Sequence, residues 1–511
     1  MSMIDQFKAA RRVSTPLIGI TTPDPAATMR EICTALNGKS LKFRWDVAQG
    51  LMGLSDEAAQ KVMELLGEPP EDTDPEAFRM ARTQEPAATL ALAAQFPEGA
   101  ILFFCNAHRF LDPRPGNEVV IQAAWNLRDR FKENYRTLVL LAPDLELPLE
   151  LRQDVRLIDE PLPGDEVLAQ IVKDTVEAAQ QKAPEIKDLK PAQLAKAVDA
   201  LRGVAAFPAE QLTAENVTRK GIDFNGLWEA KRKMIEQGQG LGIYRGQDRF
   251  ADLDGLANIK GFLTRIAGGK NAPRVVVFMD EFGKAQSGAK GGDLSGTSQK
   301  MTGTLLSFME DTGAIGLIAY GCPGTGKTAM AKATGNELDG LTILFNISAM
   351  EGSLVGESVR NLRTNLKIVE AVAGGRALFM ATANELNNIP PELLQRFSLG
   401  TWFFDMPSAE EREAVWKLYM KKLKVTEQAR PKDDGWVPRN IKQCCELADR
   451  LGSTLIEASA YIVPVGRSAK KEIETMRAIA DGNFISASQA GVYQRSKAAA
   501  LGGARAVEVS E

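Results

Sequence analysis

Residues 321–328 read GCPGTGKT, and this stretch decides the predicted fold. It matches the pattern GxxxxGK followed by Ser or Thr at every fixed position. An apolar segment, residues 314–320 (AIGLIAY), precedes it, and a helix-prone segment, residues 329–338, follows it. Glycines allow the backbone N–H groups of such a loop to surround phosphates at a helix N-terminus, where the helix dipole favours anions. The sequence therefore predicts a strand, a phosphate-binding loop and a helix in a parallel α/β sheet.

The loop also supplies two side chains with separate tasks. Lys327 is expected to reach the β- and γ-phosphates of a nucleotide, and Thr328 to offer its hydroxyl to Mg²⁺. The residues expected to contact the phosphates are Gly321, Pro323, Gly324, Thr325, Gly326, Lys327, Thr328 and Ala329.

A second motif, residues 274–281 (RVVVFMDE), is an apolar segment that ends in two carboxylates. Ligands of open parallel sheets bind beyond the carboxyl ends of the strands. We therefore predict a buried strand with Asp280 holding Mg²⁺ through water and Glu281 polarising the attacking water. The alternative is an acidic pair at the start of a surface loop.

Two further segments add polar candidates. Residues 376–384 (RALFMATAN) predict a strand that ends at Asn384, which either orients the attacking water or touches the γ-phosphate; the alternative is an Asn that caps the next turn. Arg396, in residues 389–397 (IPPELLQRF), follows a short helix. An arginine at the edge of a protomer can reach a neighbour's γ-phosphate as an arginine finger. Its alternative is a surface ion pair.

Composition excludes several other classes of protein. The 511 residues include a single histidine, His108, so metal sites with several histidines are excluded. Lys plus Arg is 62 and Asp plus Glu is 66, a net charge of −4, which argues against a chain-wide nucleic-acid surface. The five cysteines show no CxxC spacing. The N-terminus lacks a signal-peptide pattern, and no apolar run approaches the ~20 residues that span a bilayer. We expect a soluble, cytoplasmic protein with no membrane contact.

The chain is predicted to have four parts. Apolar strands in residues 1–165, at 16–22, 100–105 and 136–142, alternate with helical segments, which favours a parallel α/β domain. Residues 56–86, rich in Pro, Glu and Asp, are interpreted as an excursion or a mobile loop. Residues 166–225 predict a helical connector, 226–407 a strand–helix core, and 408–511 an α-helical lid and tail.

Together these motifs resemble those of an AAA+ ATPase of the meiotic-clade type, over about residues 240–460. Residues 355–363 (VGESVRNLR) resemble the start of a helix in that family, and residues 250–260 (FADLDGLANIK) resemble its adenine-contacting linker. The resemblance implies that Asp252 and Gly255 bind nucleotide and that Arg439 (GWVPRNIK) senses the γ-phosphate from the lid. Cyanobacterial and chloroplast AAA proteins with a degenerate N-terminal ATPase-like domain look most similar, and residues 1–165 fit that degenerate domain.

The order of the motifs departs from the family pattern, because the acidic strand precedes the phosphate loop instead of following it. We predict a P-loop NTPase sheet with permuted strand connectivity. In chain order its strands are a (acidic), b (before the phosphate loop), c (residues 341–347), d (ending at Asn384) and e (residues 400–407). If each strand keeps its family position, the lateral order is e-b-d-a-c.

The resemblance implies a Mg²⁺-dependent ATPase that forms a homo-oligomeric ring, a hexamer, or a spiral. Its implied task is the remodelling of an unidentified protein partner or assembly. The alternative class is a nucleotide-switched assembly or scaffold protein with slow turnover. A nucleic-acid motor is the third hypothesis, although no helix-turn-helix or aromatic-rich basic stripe supports it. The family's aromatic pore position is Leu354 here, which weighs against threading of a polypeptide.

Overall fold

The computed structural model describes residues 2–36, 40–112, 116–236, 238–282, 297–350, 357–386, 389, 391–425 and 429–495. Contacts divide the chain into two compact units. The first comprises Met1–Val198 and Val204–Ile222, and the second comprises Asp199–Gly203 and Asp223–Glu511. Within the described ranges, no helix is both long and apolar enough to cross a membrane.

The first unit is an α/β fold around a six-stranded sheet. Its strands are β1 (Leu17–Thr21), β2 (Lys42–Asp46), β3 (Gly50–Gly53), β4 (Ile101–Cys105), β5 (Thr137–Ala142), β6 (Arg156–Asp159), and the separate pair β7 (Val217–Thr218) and β8 (Gly221–Ile222). The helices are α1 (Met3–Arg12), α2 (Pro25–Ala35), α3 (Asp56–Leu66), α4 (Pro75–Thr83), α5 (Pro86–Ala93), α6 (Glu118–Glu133), α7 (Asp165–Lys182), α8 (Pro191–Leu201) and α9 (Ala206–Asn216). The lateral order is β3-β2-β4-β5-β1-β6, and only the β2–β3 pair is antiparallel.

The three strands predicted in this unit are confirmed as β1, β4 and β5. β4 shows why they were recognisable. Leu102 and Phe104 pack into one hydrophobic cluster, and Ile101 and Phe103 pack into a second. A strand that is buried on both faces must be apolar at every position, which produces a continuous apolar run.

The predicted excursion or loop at residues 56–86 is wrong, because this stretch contains α3 and α4. Each helix begins at a capping side chain, Ser55 for α3 and Asp74 for α4. Thr83, at the end of α4, is buried, and its carbonyl accepts a hydrogen bond of 2.7 Å from Nε1 of Trp45. The charged residues that suggested a loop lie on the solvent-facing sides of these helices and in the connection between them.

The second unit contains a seven-stranded sheet. Its strands are β9 (Leu241–Ile243), β10 (Val275–Met279), β11 (Ile315–Gly321), β12 (Leu341–Phe345), β13 (Ala377–Ala383), β14 (Thr401–Phe404) and β15 (Ile485–Ser486). The helices are α10 (Phe224–Glu236), α11 (Ala257–Ala267), α12 (Thr297–Thr312), α13 (Lys327–Glu337), α14 (Glu357–Ala373), α15 (Pro391–Arg396), α16 (Ala409–Lys422), α17 (Pro438–Leu451), α18 (Leu455–Ser459), α19 (Val465–Ser468) and α20 (Lys470–Ala480). Residues 351–356, with Leu354 and the start of the VGES motif, lie outside the described ranges, as do residues 496–511 of the predicted tail.

The lateral order of this sheet is β15-β14-β11-β13-β10-β12-β9. The predicted order e-b-d-a-c corresponds to β14-β11-β13-β10-β12 and is confirmed. The acidic strand β10 and the phosphate-loop strand β11 are not neighbours, since β13 lies between them. Every pair is parallel except β9–β12. The carboxyl ends of β10, β11, β13 and β14 therefore meet at one edge of the sheet.

The two sheets share one spatial pattern although their chains run through it differently. In the first sheet, β6-β1-β5-β4-β2 occupy the positions that β14-β11-β13-β10-β12 occupy in the second. β1 thus corresponds in position to the phosphate-loop strand, and β4 to the acidic strand. Of these five strands in the first unit, β4, the strand in the acidic position, is the third in chain order. In the second unit the corresponding strand, β10, is the first of the five.

Helices after the sheet pack around a hydrophobic cluster of their own. α16 and α17 both contribute to it, and the rings of Trp416 and Trp436 lie 5.8 Å apart in a tilted arrangement. Ser408 starts α16 with a capping box closed by Glu411. The chain then returns to the sheet through β15, an element of two residues that the sequence did not indicate.

Candidate active site

A cavity of about 410 Å³ opens at the carboxyl edge of the second sheet. Eleven of the predicted site residues line it: Asp280, Glu281, Pro323, Gly324, Thr325, Gly326, Lys327, Thr328, Ala329, Asn384 and Arg439. They come from four separate segments of the chain; the sheet order brings three of them together, and the lid helix α17 adds Arg439. Asp252, Gly255, Gly321 and Arg396 do not line it.

The phosphate loop has the backbone conformation that its glycines allow. Gly324 and Gly326 have φ values of +81° and +102°, in the region that L side chains rarely adopt. α13 begins directly afterwards at Lys327, so the N-terminus of this helix opens into the cavity. Gly321 is needed for a different reason: at φ +140°, a Cβ there would lie 2.3 Å from the carbonyl oxygen of Phe404. The loop therefore has the shape of an anion cradle.

Lys327 is buried at the base of this loop. Its Nζ donates to the carbonyl oxygens of Gly321 at 2.5 Å and Cys322 at 2.8 Å. Burial lowers the pKa of Lys327 to about 8, against the opposing influence of Cys322 and Asp280. Among the described residues, this buried ammonium donates to two carbonyl oxygens, and an added anion would offset the cost of burying its charge.

The acidic residues are held by a residue that the sequence analysis missed, Thr382. Its hydroxyl donates to Oδ1 of Asp280 at 2.6 Å and accepts from the backbone N–H of Glu281 at 3.0 Å. Thr382 is buried in β13, beside β10. The available signal was a hydroxyl two positions before Asn384 in an otherwise apolar strand.

Glu281 stands directly beyond β10 in a left-handed conformation, with φ +49°. Such a conformation in a non-glycine residue costs on the order of 1–3 kcal/mol and is concentrated at functional sites. This conformation turns the chain at Glu281 away from the extended path of β10. Asp280 and Glu281 both line the cavity.

The residues present fit a magnesium ion that arrives with phosphates. The hydroxyl of Thr328 lies 3.3 Å from Oδ1 of Asp280, to which it donates. Mg²⁺ is usually held by one or two carboxylates together with phosphate oxygens and water, and hydroxyl and carboxylate oxygens suit it. Over the described part of the chain, no group of three or more His, Cys, Asp or Glu residues forms a metal cage. A cation at Asp280 would therefore depend on the nucleotide for its other ligands.

The opposite wall of the cavity is largely apolar. Leu253 and Leu256 precede α11, and Val415, Leu418 and Tyr419 lie on α16. This composition suits the flat base of a nucleotide, which needs apolar contact and few polar partners.

Two of the residues implied by the family resemblance do not line this cavity, and their part in nucleotide binding stays a prediction. Asp252 points to a cationic neighbour, Lys422, at 3.7 Å and does not line the cavity. Gly255, at φ +73°, is needed for the close approach of Glu411, whose Oε1 would lie 2.9 Å from a Cβ at that position. Their neighbours Leu253, Asp254 and Leu256 reach the cavity instead.

The lid contacts the phosphate loop directly. The backbone N–H of Arg439 donates to the carbonyl oxygen of Gly324 at 3.3 Å. A Cβ on Gly324 would lie 2.8 Å from the side chain of Val437. A change in the phosphate loop would thus be felt at the first turn of α17.

Arg396 lies outside the cavity, at the end of α15. Its Nη2 forms an ion pair of 2.7 Å with Glu310, and the two side chains are 41% and 59% exposed. Within one chain, Arg396 therefore has the surface ion pair that was its alternative interpretation. Its exposure leaves it accessible from outside.

Comparison with known proteins gives two family matches. Residues 3–160 match the SpoVK-like AAA ATPase N-terminal domain, and residues 317–374 match the ATPase family associated with various cellular activities (AAA). Residues 317–374 are thus similar to part of an AAA ATPase domain. The AAA match begins within β11 and ends after α14, so the acidic residues Asp280 and Glu281 lie upstream of it.

The chain is also similar, at low identity, to three algal proteins that share the name "Uncharacterized AAA domain-containing protein ycf46". The protein of Guillardia theta is 23% identical over 66% of this chain and 66% of its own length, slightly under two thirds. That of Gracilaria tenuistipitata var. liui is 23% identical over 76% of this chain and 79% of its own length. That of Pyropia yezoensis is 21% identical over 67% and 69%. The similarity extends well beyond the AAA match.

Proposed function

We propose that this protein is an oligomeric ATPase that couples hydrolysis of Mg-ATP to the remodelling of a protein partner or assembly. The observation that carries the proposal is the convergence of the phosphate loop, the Asp280–Thr328 pair and Glu281 on one cavity. Phosphoryl transfer to water depends on positioning and charge stabilisation, so these groups are needed together. The AAA family match supports the same conclusion.

Binding uses the loop and its lysine. The N–H groups at the start of α13 bind the phosphates, and Lys327 exchanges the carbonyls of Gly321 and Cys322 for phosphate oxygens. Thr328 and Asp280 would hold Mg²⁺, which would neutralise charge on the phosphates.

Hydrolysis uses the groups beyond β10 and β13. Glu281 polarises the attacking water and accepts its proton, and Asn384 orients that water. Thr382 keeps Asp280 and the backbone of Glu281 in a fixed relation, so that the water and the metal ligand stand at a constant separation.

The lid transmits the nucleotide state. α16 contributes Val415 and Tyr419 to the base-side wall, and α17 contributes Arg439 beside the phosphate loop. Because the nucleotide contacts both the core and the lid, its loss or hydrolysis removes contacts that fix the lid angle, which is a common route from hydrolysis to motion.

Two surface features support an oligomer. Arg396 is accessible for a neighbour's γ-phosphate once it leaves Glu310. The lid also exposes a set of large apolar side chains within thirteen residues: Leu451, Ile456, Tyr461 and Val463. Exposed apolar clusters of this kind commonly mark protein interfaces.

We also propose that the core is a permuted AAA domain of the meiotic-clade type and that the first unit is its degenerate counterpart. The support is the shared lateral pattern of the two sheets, combined with an AAA match that begins downstream of the acidic strand. Each parallel connection remains a strand–helix–strand unit, which a parallel sheet accepts in either chain order.

Steady-state ATPase assays with two variants test the site. Lys327→Ala is expected to lose ATP binding, whereas Glu281→Gln is expected to bind ATP and turn it over at least about 100-fold more slowly. Glu472→Gln, an exposed glutamate on α20, removes the same charge elsewhere and should leave turnover unchanged. Full activity in Lys327→Ala would contradict the site. Turnover that is slow in the unaltered protein and that no protein stimulates would favour the nucleotide-switched scaffold.

Mixing tests whether Arg396 acts on a neighbour. Lys327→Ala and Arg396→Ala should each be inactive alone. In a mixed assembly, an Arg396→Ala chain, whose phosphate loop is intact, can lie beside a Lys327→Ala chain, whose Arg396 is intact. Part of the activity should then return. If mixtures stay inactive while still assembling, Arg396 has no role in trans.

A further inference from the structure

A second cavity, of about 680 Å³, lies at the opposite end of the same strands. Arg274, Gly340 and Arg376 line it and stand directly before β10, β12 and β13. Asp280 and Asn384, at the nucleotide cavity, stand directly after β10 and β13. β10 separates the two cavities with five residues, about 17 Å of extended chain. The lining residues all belong to the second unit.

Two arginines meet side by side in this cavity. The backbone N–H of Arg274 donates to the carbonyl oxygen of Arg376 at 2.9 Å, one position before the register pair Val275 and Ala377. Residues that are directly opposite on neighbouring strands project to the same face, and like charges in that arrangement repel. Both side chains line the cavity, so an anion there would relieve this repulsion.

A third cation lies in the wall formed by α10. Lys231 is only 1% exposed, and its Nζ donates to the carbonyl oxygen of Asp199 at 3.2 Å and lies 4.9 Å from the Trp228 ring. Burial and the nearby Arg202 lower the pKa of Lys231 to about 7. In the ranges that the structure describes, neither Lys231 nor Arg376 forms an ion pair.

The cavity has a surplus of positive charge, because five cationic side chains and three carboxylates line it. The carboxylates are already engaged: Asp199 with Arg202, Glu229 with Arg232, and Asp339 with Arg249. Nε of Arg232 is buried and has no hydrogen-bond partner among the described residues. Buried donors without acceptors are uncommon, and each one raises the gain from a bound anion.

The remainder of the wall is apolar. Trp228, Pro273, Leu338, Leu341 and Val372 line the cavity beside the cations. A cation cluster next to an indole and aliphatic side chains suits a molecule with a charged head and an apolar body.

We propose that this cavity binds a small phosphorylated organic molecule, with its dianionic phosphate on Arg274, Arg376 and Lys231. Paired guanidinium groups bind phosphate oxygens with parallel hydrogen bonds, and an ammonium adds a compact third charge. The Trp228 face contacts the organic part. This site is separate from the nucleotide cavity. A molecule bound in it would contact the residues directly before β10 and β13, the strands that lead to Asp280 and Asn384.

Calorimetric titration of the full chain with phenyl phosphate tests the proposal. We expect one saturable site, weakened at least about tenfold by Arg376→Gln and by Lys231→Met. Arg376 is only partly buried, so Arg376→Gln decides the question if Lys231→Met fails to fold. Arg265→Gln removes the same charge at an exposed position on α11 and should leave the affinity for phenyl phosphate unchanged.

Two further arms identify the site and the ligand class. Lys327→Ala, which disables the nucleotide loop, should bind phenyl phosphate as the unaltered chain does. Benzoate, which has the same ring and one charge, should bind at least about tenfold more weakly. The proposal is overturned by any of four results: no saturable binding, binding unaffected by Arg376→Gln, binding lost in Lys327→Ala, or benzoate binding as tightly as phenyl phosphate. The third result would assign the binding to the nucleotide loop and leave the proposed ATPase function intact.

Discussion

Thr382 determines the relative placement of the two acidic residues without itself carrying charge. Replacing it by Val removes the 2.6 Å hydrogen bond to Asp280 and the acceptor for the N–H of Glu281. A hydrogen bond to a charged group contributes about 1.5–3 kcal/mol, which corresponds to a roughly tenfold to hundredfold loss of turnover. We expect Thr382→Val to show this loss and to need more Mg²⁺ for half-maximal activity, measured by ATPase assays over a Mg²⁺ series.

Thr382→Ser is the matched control, since it keeps the hydroxyl and loses one methyl group. It should restore most of the turnover and the normal Mg²⁺ requirement. Equal loss in the Ser and Val variants would show that packing in β13, and not the hydroxyl, is what matters.

Lys327 gives the site a dependence on pH. Its ammonium has a pKa of about 8 in the free protein, lowered by burial, so it is charged below that pH and loses its proton above it. Phosphates favour the charged form, so binding raises the pKa of Lys327. ATP affinity is therefore full below about pH 7 and falls as pH rises through 8, with a proton taken up on binding near pH 8. Titration calorimetry at pH 8 in two buffers of different ionisation enthalpy measures this uptake.

The same titration at pH 6.5 is the internal control, because Lys327 is already charged there and uptake by it should vanish. Equal heats in both buffers at pH 8 would contradict the lowered pKa as a determinant of binding.

At the residue scale, the motif predicted the phosphate loop because each of its positions has a backbone or charge requirement that few residues meet. Thr382 was missed because its role depends on a neighbouring strand that is distant in sequence. Asp252 and Gly255 stay predictions, and the local backbone explains why their neighbours line the cavity instead. A 3-10 turn ends at Asp252, and Leu256 has φ +56°, so the chain turns the intervening side chains by an amount that the sequence does not specify.

At the element scale, the segment after the lid fastens the lid to the sheet. The hydroxyl of Tyr493 and Nε of Arg477 both donate to Asp405 at 2.8 Å, just beyond β14. Ser488 donates to Glu411 at the start of α16, at 2.7 Å. We call residues 481–495 the return segment. It links β14, the first lid helix α16 and α20.

Asp405→Asn should loosen the return segment. It removes the charge that pairs with Arg477 and costs about 1–3 kcal/mol, since the pair is only partly buried. Hydrogen exchange of backbone amides in residues 481–495 should accelerate, while exchange in β10 and β13 stays slow.

Tyr493→Phe is the graded control, because it removes one neutral donor from Asp405 and keeps the ion pair with Arg477. It should cost about 1 kcal/mol and accelerate exchange less than Asp405→Asn does. Unchanged exchange in both variants would show that β15 alone holds the segment.

The elements found from sequence were those with continuous apolar runs, such as β4 and β10, because burial on both faces removes polar residues. β2 was missed because its residues alternate between buried and partly exposed, with Phe43 and Trp45 inward. β9 and β15 have three and two residues and exist only through pairing with β12 and β14. No local pattern identifies a strand of that length.

At the scale of the whole molecule, the first unit has its own carboxylate where the second has phosphate-binding groups. α2 follows β1, the strand in the position of β11, and its N-terminus is capped by Asp24, which accepts from the N–H of Ala27 at 3.0 Å. Pro25, the first residue of α2, has no N–H to offer. The anion position at this helix is thus filled from within the chain.

We therefore expect one nucleotide per chain. Equilibrium binding of a non-hydrolysable ATP analogue to a known concentration of protein measures this stoichiometry. Lys327→Ala should abolish binding altogether, and Asp24→Asn should leave one site per chain. Two sites per chain, or binding that survives Lys327→Ala, would contradict the inference that the Asp24 cap prevents nucleotide binding at the N-terminus of α2.

The lateral order of the second sheet was predictable because motifs marked three of its strands and parallel crossovers limit how they are arranged. The division of the chain into two compact units was harder to predict from the sequence. Residues 199–203 belong to the second unit, although α8 begins in the first. Their assignment depends on contacts such as that of Gly203 with Val372, which local composition does not indicate.

The strand order also sets the moment at which this sheet can form on the ribosome. β9, β10 and β11 are synthesised first, but β9 pairs with β12, β10 pairs with β12 and β13, and β11 pairs with β13 and β14. These strands thus leave the exit tunnel without partners, and the earliest pairing awaits Phe345. Late, non-local pairing slows folding and exposes strands to aggregation. β10 therefore stays without a strand partner until β12 has emerged, and β11 until β13 has emerged.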